Sequence, residues 1–280
     1  MKLLNRLLPG ALLFAACSLS AIVYAEEFTI ENWKSRVEAG GNMDHYGRLY
    51  LEFLLEENPV SGGGYGIHGI EGDPSWYDRR LPDASHAAAA EGMAIRKFFL
   101  EKLDAIDTIR LGRPDQIDLH ILKSQVALDQ LQKTHLGTLS NPLNYVTTLG
   151  QGMSGLVFRE YAPIEERLRS FGARCKATGK YLEGVRAALS PPDVRPSLMN
   201  KTMTASRLGG MTGEGSLYKK TLPDLVENSG LDEETRAKIL EACTVAVDDI
   251  NRFALWFDET VAPREDGEWR LGPELYDQKY

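Results

Sequence analysis

Apolar residues recur along most of the chain at intervals of three and four, the spacing that gathers them on one face of an α-helix. Asn42 to Glu56 places Tyr46, Leu49, Tyr50, Phe53 and Leu54 on one side, and Asn58-Pro59 stops the helix. Ser61 to Ser75 reads as a glycine-rich loop that starts with Gly62-Gly63-Gly64. Asp83 or Ser85 then caps a helix carrying Ile95, Phe99, Leu103 and Ile106. A third helix follows Gly112-Arg113-Pro114, with Ile117, Ile121, Leu128 and Leu131 as its apolar face. A fourth follows Asn141-Pro142, with Tyr145, Leu149, Met153 and Leu156 in register. Pro163 opens a fifth, with Ile164, Leu168, Phe171 and Cys175 on one side, and Pro191-Pro192 ends that region.

From Ser197 to Leu222 the pattern weakens. Four glycines between Gly209 and Ser216 would each cost a helix interior about 1 kcal/mol relative to alanine, so this stretch reads as a mobile connection. Ser229 and Asp232 then signal a helix start, followed by the clearest stripe in the chain: Ile239, Cys243, Ala246, Ile250, Phe253 and Phe257. No run of comparable length alternates with the period of a strand. The predicted fold class is all-α, a bundle of long antiparallel helices.

The amino terminus follows a different logic. Lys2 and Arg6 precede an apolar run from Leu7 to Val23, and Val23-Tyr24-Ala25 offers small residues for cleavage before Glu26. Residues 1–25 therefore read as a signal peptide and 26–280 as one helical domain, placing the protein in the periplasm or outside the cell. Lipidation at Cys17, after Phe14-Ala15-Ala16, is the second reading. Pro9, Gly10, Ser18 and Ser20 make the run a poor permanent anchor, and no other stretch is long and apolar enough to span a bilayer.

Composition narrows the classes. The 280 residues are 43% hydrophobic and 26% charged, which excludes collagen-like, low-complexity and disordered chains. A net charge of −8 without a basic stripe argues against a nucleic-acid partner. Removing residues 1–25 leaves 255 residues, a net charge of −10, and only Cys175 and Cys243 of the three cysteines. An oxidising compartment permits a disulfide between them, whereas the place of Cys243 on an apolar stripe equally suits a buried free thiol.

Local motifs supply no catalytic constellation. Gly150-Gln151-Gly152-Met153-Ser154-Gly155 matches G-x-G-x-x-G, but Pro163 cuts short the helix that a dinucleotide site requires, and no acidic strand end follows. The small residues there are expected to let helices approach closely. None of His45, His68, His86, His120 and His135 is followed by glutamate, and no two are one helical turn apart, so no H-E-x-x-H zinc motif exists. Asp115, Asp118 and His120 read as a solvated helix face, as do Glu165-Glu166 and Asp248-Asp249. There is no G-x-S-x-G, and the Gly62-Gly63-Gly64 loop lacks the Lys-Ser/Thr ending of a phosphate cradle. No catalytic, cofactor-binding or metal-binding residue is assigned.

Eight phrases in order resemble one family. They are Tyr50 to Pro59 (YLEFLLEENP), Gly66-Ile67-His68, Leu81-Pro82-Asp83-Ala84-Ser85, Leu103 to Asp107, Gln116 to Leu119, Asn141 to Tyr145, Arg159 to Pro163 with Glu166-Arg167-Leu168, and Arg270 to Tyr276. From about Tyr46 to Tyr280 the chain resembles the bacterial domain-of-unknown-function family number 885, whose members are related in fold to gluzincin-type zinc metallopeptidases. The resemblance implies proteins about twice this length, with an H-E-x-x-P-G-H-type zinc motif in the second half. This sequence matches only the first half and stops soon after Gly272-Pro273 opens another helix, an ending that reads as truncation. The family's zinc ligands and catalytic glutamate have no counterpart here, so zinc is expected only in full-length members.

Two functions follow as expectations. The chain is the scaffold and substrate-cleft portion of an exported peptidase-like hydrolase acting on a peptide or small molecule, inactive alone. Alternatively it is a stand-alone exported helical binding or structural module. Under the first, helices that pack on the other half would present apolar faces to solvent.

Overall fold

A computed structural model describes residues 28–135, 137–268 and 270–279, so the expected signal peptide over residues 1–25 and the lipidation reading at Cys17 fall outside the described residues. The described chain is all-α: α1 (Ile30–Ala39), α2 (Met43–Glu57), α3 (Gly62–Tyr65), α4 (His86–Asp104), α5 (Arg113–Thr134), α6 (Pro142–Phe158), α7 (Ile164–Leu189), α8 (Leu198–Thr212), α9 (Leu222–Glu227), α10 (Glu233–Thr260) and α11 (Gly272–Lys279). Helix starts follow side-chain chemistry. Thr29, Asn42, Ser85, Asn141, Ser197 and Asp232 each turn an oxygen onto a free amide of the first turn. Ser85 is thus the cap of α4, and Asp83 accepts a hydrogen bond from the Ser85 amide.

Apolar stripes bury themselves in two cores. The first joins α1, α2, α4 and α5 around aromatic rings: Trp33 packs on Phe53 and Phe99, and Tyr50 stacks on Phe99. The indole of Trp33 donates to the Leu49 carbonyl at 2.7 Å, which satisfies its one polar atom inside the core. The second, larger core joins α6 to α10, and the whole α10 stripe from Ile239 to Phe257 is buried in it. Helices adjacent in sequence run antiparallel: Tyr181 on α7 reaches back to Tyr145 on α6, and Arg167 to Leu156. The two longest helices, α7 and α10, run parallel, because α8 and α9 carry the chain back between them. Their pairing starts with Glu165 at Gly230 and ends with Leu189 at Arg264.

Three parts of the sequence reading change. α1 has too few apolar residues to show a stripe, yet it buries Trp33 and Val37 completely. α5 is apolar on two sides, and the core takes Leu119, Leu122 and Val126 rather than Ile117 and Ile121, which are 44% and 50% exposed. Both sides show helical spacing, so only the partner decides: Phe99 and Leu103 meet the Leu119 side. The third change concerns Gly209 and Gly210, which are not a mobile connection but continue α8 to Thr212. Leu208 and Met211, packed on the second core, hold that turn helical. Ser216 then caps a π turn over Leu217–Thr221 leading into α9. Exposed apolar side chains gather on the outer face of α5 and at the start of α8, where Leu198, Met199 and Met203 lie open to solvent.

Residues 58–85 form a strap between the two cores. It turns at Pro59–Ser61, makes the single turn α3, and closes a short bridge between Ile70 and Asp73. Gly66 sits at φ 71°, the left-handed conformation that lets the backbone leave α3 without a side-chain clash.

Close helix approach is purchased with glycine. A Cβ at Gly172 would lie 3.0 Å from Ile239 Cγ1, and one at Gly179 would lie 2.7 Å from Asp249 Oδ2. Gly172→Leu should therefore force α7 off α10 and destabilise the fold by about 1–3 kcal/mol in urea unfolding. Gly64→Ala, where an added Cβ meets nothing within 4 Å, should change stability by less than about 0.5 kcal/mol.

Candidate functional site

Where the strap runs between the cores it leaves a cavity of about 570 Å³. Its floor comes from the end of α2, its sides from α4, the end of α5 and the start of α6, and its rim from Pro82 to Ser85. Charge concentrates on the α2 side. Glu57 takes a bidentate pair from Arg96 at 2.8 and 2.6 Å and a third bond from Lys133 at 3.0 Å. Arg96 is 1% exposed, lies over the ring of Phe53 and also donates to the Gly92 carbonyl. Gly92 is small for a reason: a Cβ there would press on Glu57 Oε1.

Beside it, Glu56 accepts from Arg80 at 2.7 Å and from the Trp76 indole at 3.1 Å, with Arg80 lying over the Trp76 ring. Tyr145, whose hydroxyl donates to the Leu139 carbonyl, and Tyr181 line the opposite wall. Burial pushes the Tyr145 phenol up to about 12, so it stays a neutral donor. On the floor, at the end of α2, Asn58 Oδ1 is buried and unbonded.

A second polar centre sits in the strap. Asp78 accepts from Tyr161 at 2.7 Å and pairs with His68 Nδ1 at 3.0 Å, while the His68 ring stacks flat on Tyr161 with centroids 3.6 Å apart. Desolvation, then the hydrogen bond and charge of Asp78, raise the Tyr161 phenol above its ordinary range. Arg174 from α7 locks this centre to the second core. It donates to the carbonyls of Tyr77 and Arg80 in the strap and to that of Gly152 in α6. Burial lowers its pKa to about 10, opposed by Asp78, so the guanidinium remains charged at neutral pH.

The glycines of the G-x-G-x-x-G string lie inside α6 with no strand before them, and Gly152 is where Val60 and Arg174 approach. Close approach, not phosphate binding, explains that glycine. The remaining histidines are scattered. His45 Nε2 faces the Arg36 carbonyl, His86 Nε2 faces that of Ala187, and His120 and His135 are exposed. Among the described residues no three His, Cys, Asp or Glu side chains converge as a metal site would require. The residues present do not fit the zinc that the resemblance implies for longer proteins, and no step is derived through it. No helix among the described residues is long and apolar enough to cross a membrane.

A family model described as bacterial protein of unknown function (DUF885) matches residues 59–280. The chain belongs to this family. Three of the phrases that carried the sequence resemblance converge on the cleft of this DUF885 protein: Glu56-Glu57-Asn58, Pro82 to Ser85, and Asn144-Tyr145. Two others supply His68 and Tyr161. A solved structure of a candidate lipoprotein of unknown function from Shewanella oneidensis shares the fold at a TM-score of 0.71 and 21% identity. That match covers 86% of this chain and 42% of the other, so the chain spans about half the length of that relative. No curated protein matches the chain significantly.

None of these cleft residues was identified as a site from the sequence. Arg96 and Glu57 are separated by 39 residues and Lys133 and Glu57 by 76, so no local spacing reports them. Burial raises the Glu57 carboxyl, but the hydrogen bonds and charge of Arg96, joined by Lys133, outweigh it and hold the group below its ordinary 4.5. A folded pKa below the unfolded one contributes stability above the unfolded value, and that stability is lost as pH falls through the folded pKa. Glu57→Gln should cost about 2 kcal/mol at neutral pH. Urea midpoints from about pH 7 down to about pH 3 should show the gap to wild type narrowing with acid; a constant gap would refute the linkage.

Proposed function

We propose that this chain forms the helical scaffold and one wall of the substrate cleft in an exported peptidase-like hydrolase of the DUF885 family. The bond-breaking residues would lie in a further part of the enzyme. The observation that carries the reading is the cleft itself. It is large enough for several residues of an extended chain, has apolar surface from Ile95 and Leu139, and is edged by groups of both signs. Asn58, at the end of α2, lines the cleft and carries a buried side-chain oxygen without a hydrogen-bond partner; rotation of its side chain toward the cleft would present that acceptor to a ligand. A peptide N–H is a donor of the right chemistry. The length of the Shewanella oneidensis relative, of which this chain matches 42%, supports a division of labour with further residues. The signal-like amino terminus and that relative's description as a candidate lipoprotein support export.

The test is peptide binding uncoupled from cleavage. Fluorescein-labelled short peptides titrated with the chain should show saturable anisotropy, weakened roughly tenfold by Asn58→Ala. Mass spectrometry of the mixture should find the peptides intact. No saturable binding up to millimolar protein would overturn the role of the cleft. Stoichiometric zinc or metal-dependent cleavage by the chain itself would overturn the division of labour.

A further inference from the structure

Cys175 on α7 and Cys243 on α10 face each other at the middle of the parallel pair, each almost completely buried. Their sulfurs are 2.6 Å apart. That is well inside the ~3.5–4.0 Å at which unbonded heavy atoms rest against one another, and about half an ångström beyond a disulfide bond. Two unbonded thiols would repel at this separation.

The backbone around them favours the bond independently of that distance. Ordinary helix packing keeps axes about 8–10 Å apart, whereas a disulfide needs Cα atoms within about 7 Å. Gly172 and Gly179, one turn to either side of Cys175, remove the side chains that would hold α10 away, since a Cβ at either would press on Ile239 or Asp249. Ala242 and Ala246 are the small residues flanking Cys243 on the facing stripe. The closest approach of the two longest helices is therefore centred on the cysteine pair.

We infer that Cys175 and Cys243 are joined by an intrachain disulfide that staples α7 to α10 in the mature protein. The oxidant is a small-molecule or protein disulfide. The thiolate of one cysteine attacks it, forms a mixed disulfide and releases one thiol. The second cysteine attacks that mixed disulfide at the protein sulfur and releases the other. Two cysteine thiols are oxidised, one oxidant disulfide is reduced to two thiols, and the two cysteine protons end on the departing thiolates. The reaction belongs to folding rather than to the finished molecule. Once the helices close, burial raises the Cys175 thiol far above its ordinary range, which removes the thiolate that exchange requires.

The test begins with the full chain, reduced and unfolded, then refolded with a tenfold excess of glutathione disulfide over protein. After unfolding in guanidinium with iodoacetamide and no reductant, a tryptic map should contain the Cys175–Cys243 cross-linked peptide and no alkylated form of either residue. Reduction of this refolded protein should lower the thermal midpoint by about 10 °C. The double variant Cys175→Ala, Cys243→Ala should fold to the same helical content and show no such shift. Alkylation of both residues without reductant would overturn the proposal, as would pairing of either one with Cys17. A midpoint indifferent to reductant in the wild-type chain would overturn the stapling role.

Discussion

A single buried cation ties the strap between the cores to the second of them. Arg174 spends its planar set of donors on three backbone carbonyls, those of Tyr77, Arg80 and Gly152, which belong to two different stretches of chain. The carbonyls of Tyr77 and Arg80 lie in the strap outside any regular helix, while that of Gly152 lies inside α6 and takes the guanidinium as an additional donor; an unpaired carbonyl in that interior would be costly. The positive charge is balanced by Asp78, itself fixed by Tyr161 and His68. Loss of the guanidinium would leave Asp78 without its balancing charge and the Arg80 carbonyl without its donor. The same device recurs at other ends. Arg167 collects the last carbonyls of α6, and Arg264 collects those that follow α7.

The cleft is a consequence of that arrangement. Because the strap is pinned at Arg80 both to α7, through its carbonyl, and to α2, through its guanidinium on Glu56, the two cores are held as neighbours without merging. The gap between them keeps its charged groups in fixed pairs. Glu57 in particular is held in three hydrogen bonds before any ligand arrives. The charged groups of the cleft are thus committed to one another, and its shape is set by the packing of the elements around it.

What the sequence made legible was whatever repeats within one helix. The α10 stripe is buried at every position read from the sequence, and those of α6 and α7 at all but Tyr145 and Ile164, which are partly buried; of the cap candidates, Ser85 and Asp232 take the role. α5 failed because periodicity identifies an apolar face but not which of two faces finds a partner. The glycine pair at Gly209 failed because propensity is a local cost of about 1 kcal/mol per residue, smaller than the burial of Leu208 beside it. The site residues were illegible for a different reason. His68, Asp78 and Tyr161, or Glu57, Arg96 and Lys133, become a group only through contacts between distant segments, and their residue types are common on any helix surface. The family phrases contain His68, Tyr161 and Glu57, but the resemblance attached no role to them.

The parallel course of α7 and α10 has an electrostatic consequence. Side-by-side parallel helices place both positive dipole ends together and both negative ends together, an arrangement that by itself repels. The chain answers at each pole. Glu165 and Glu166 open α7 while Glu233 and Glu234 open α10, so four carboxylates sit where the free amides point. The bond that Glu165 accepts from the Gly230 amide draws its carboxyl below the usual range. At the far pole the guanidinium of Arg264 sits among the carbonyls of Leu189, Ser190, Pro191 and Val194. Adjacent glutamates that read in the sequence as mere solvated surface thus act as the counter-charge that lets two long helices lie head beside head.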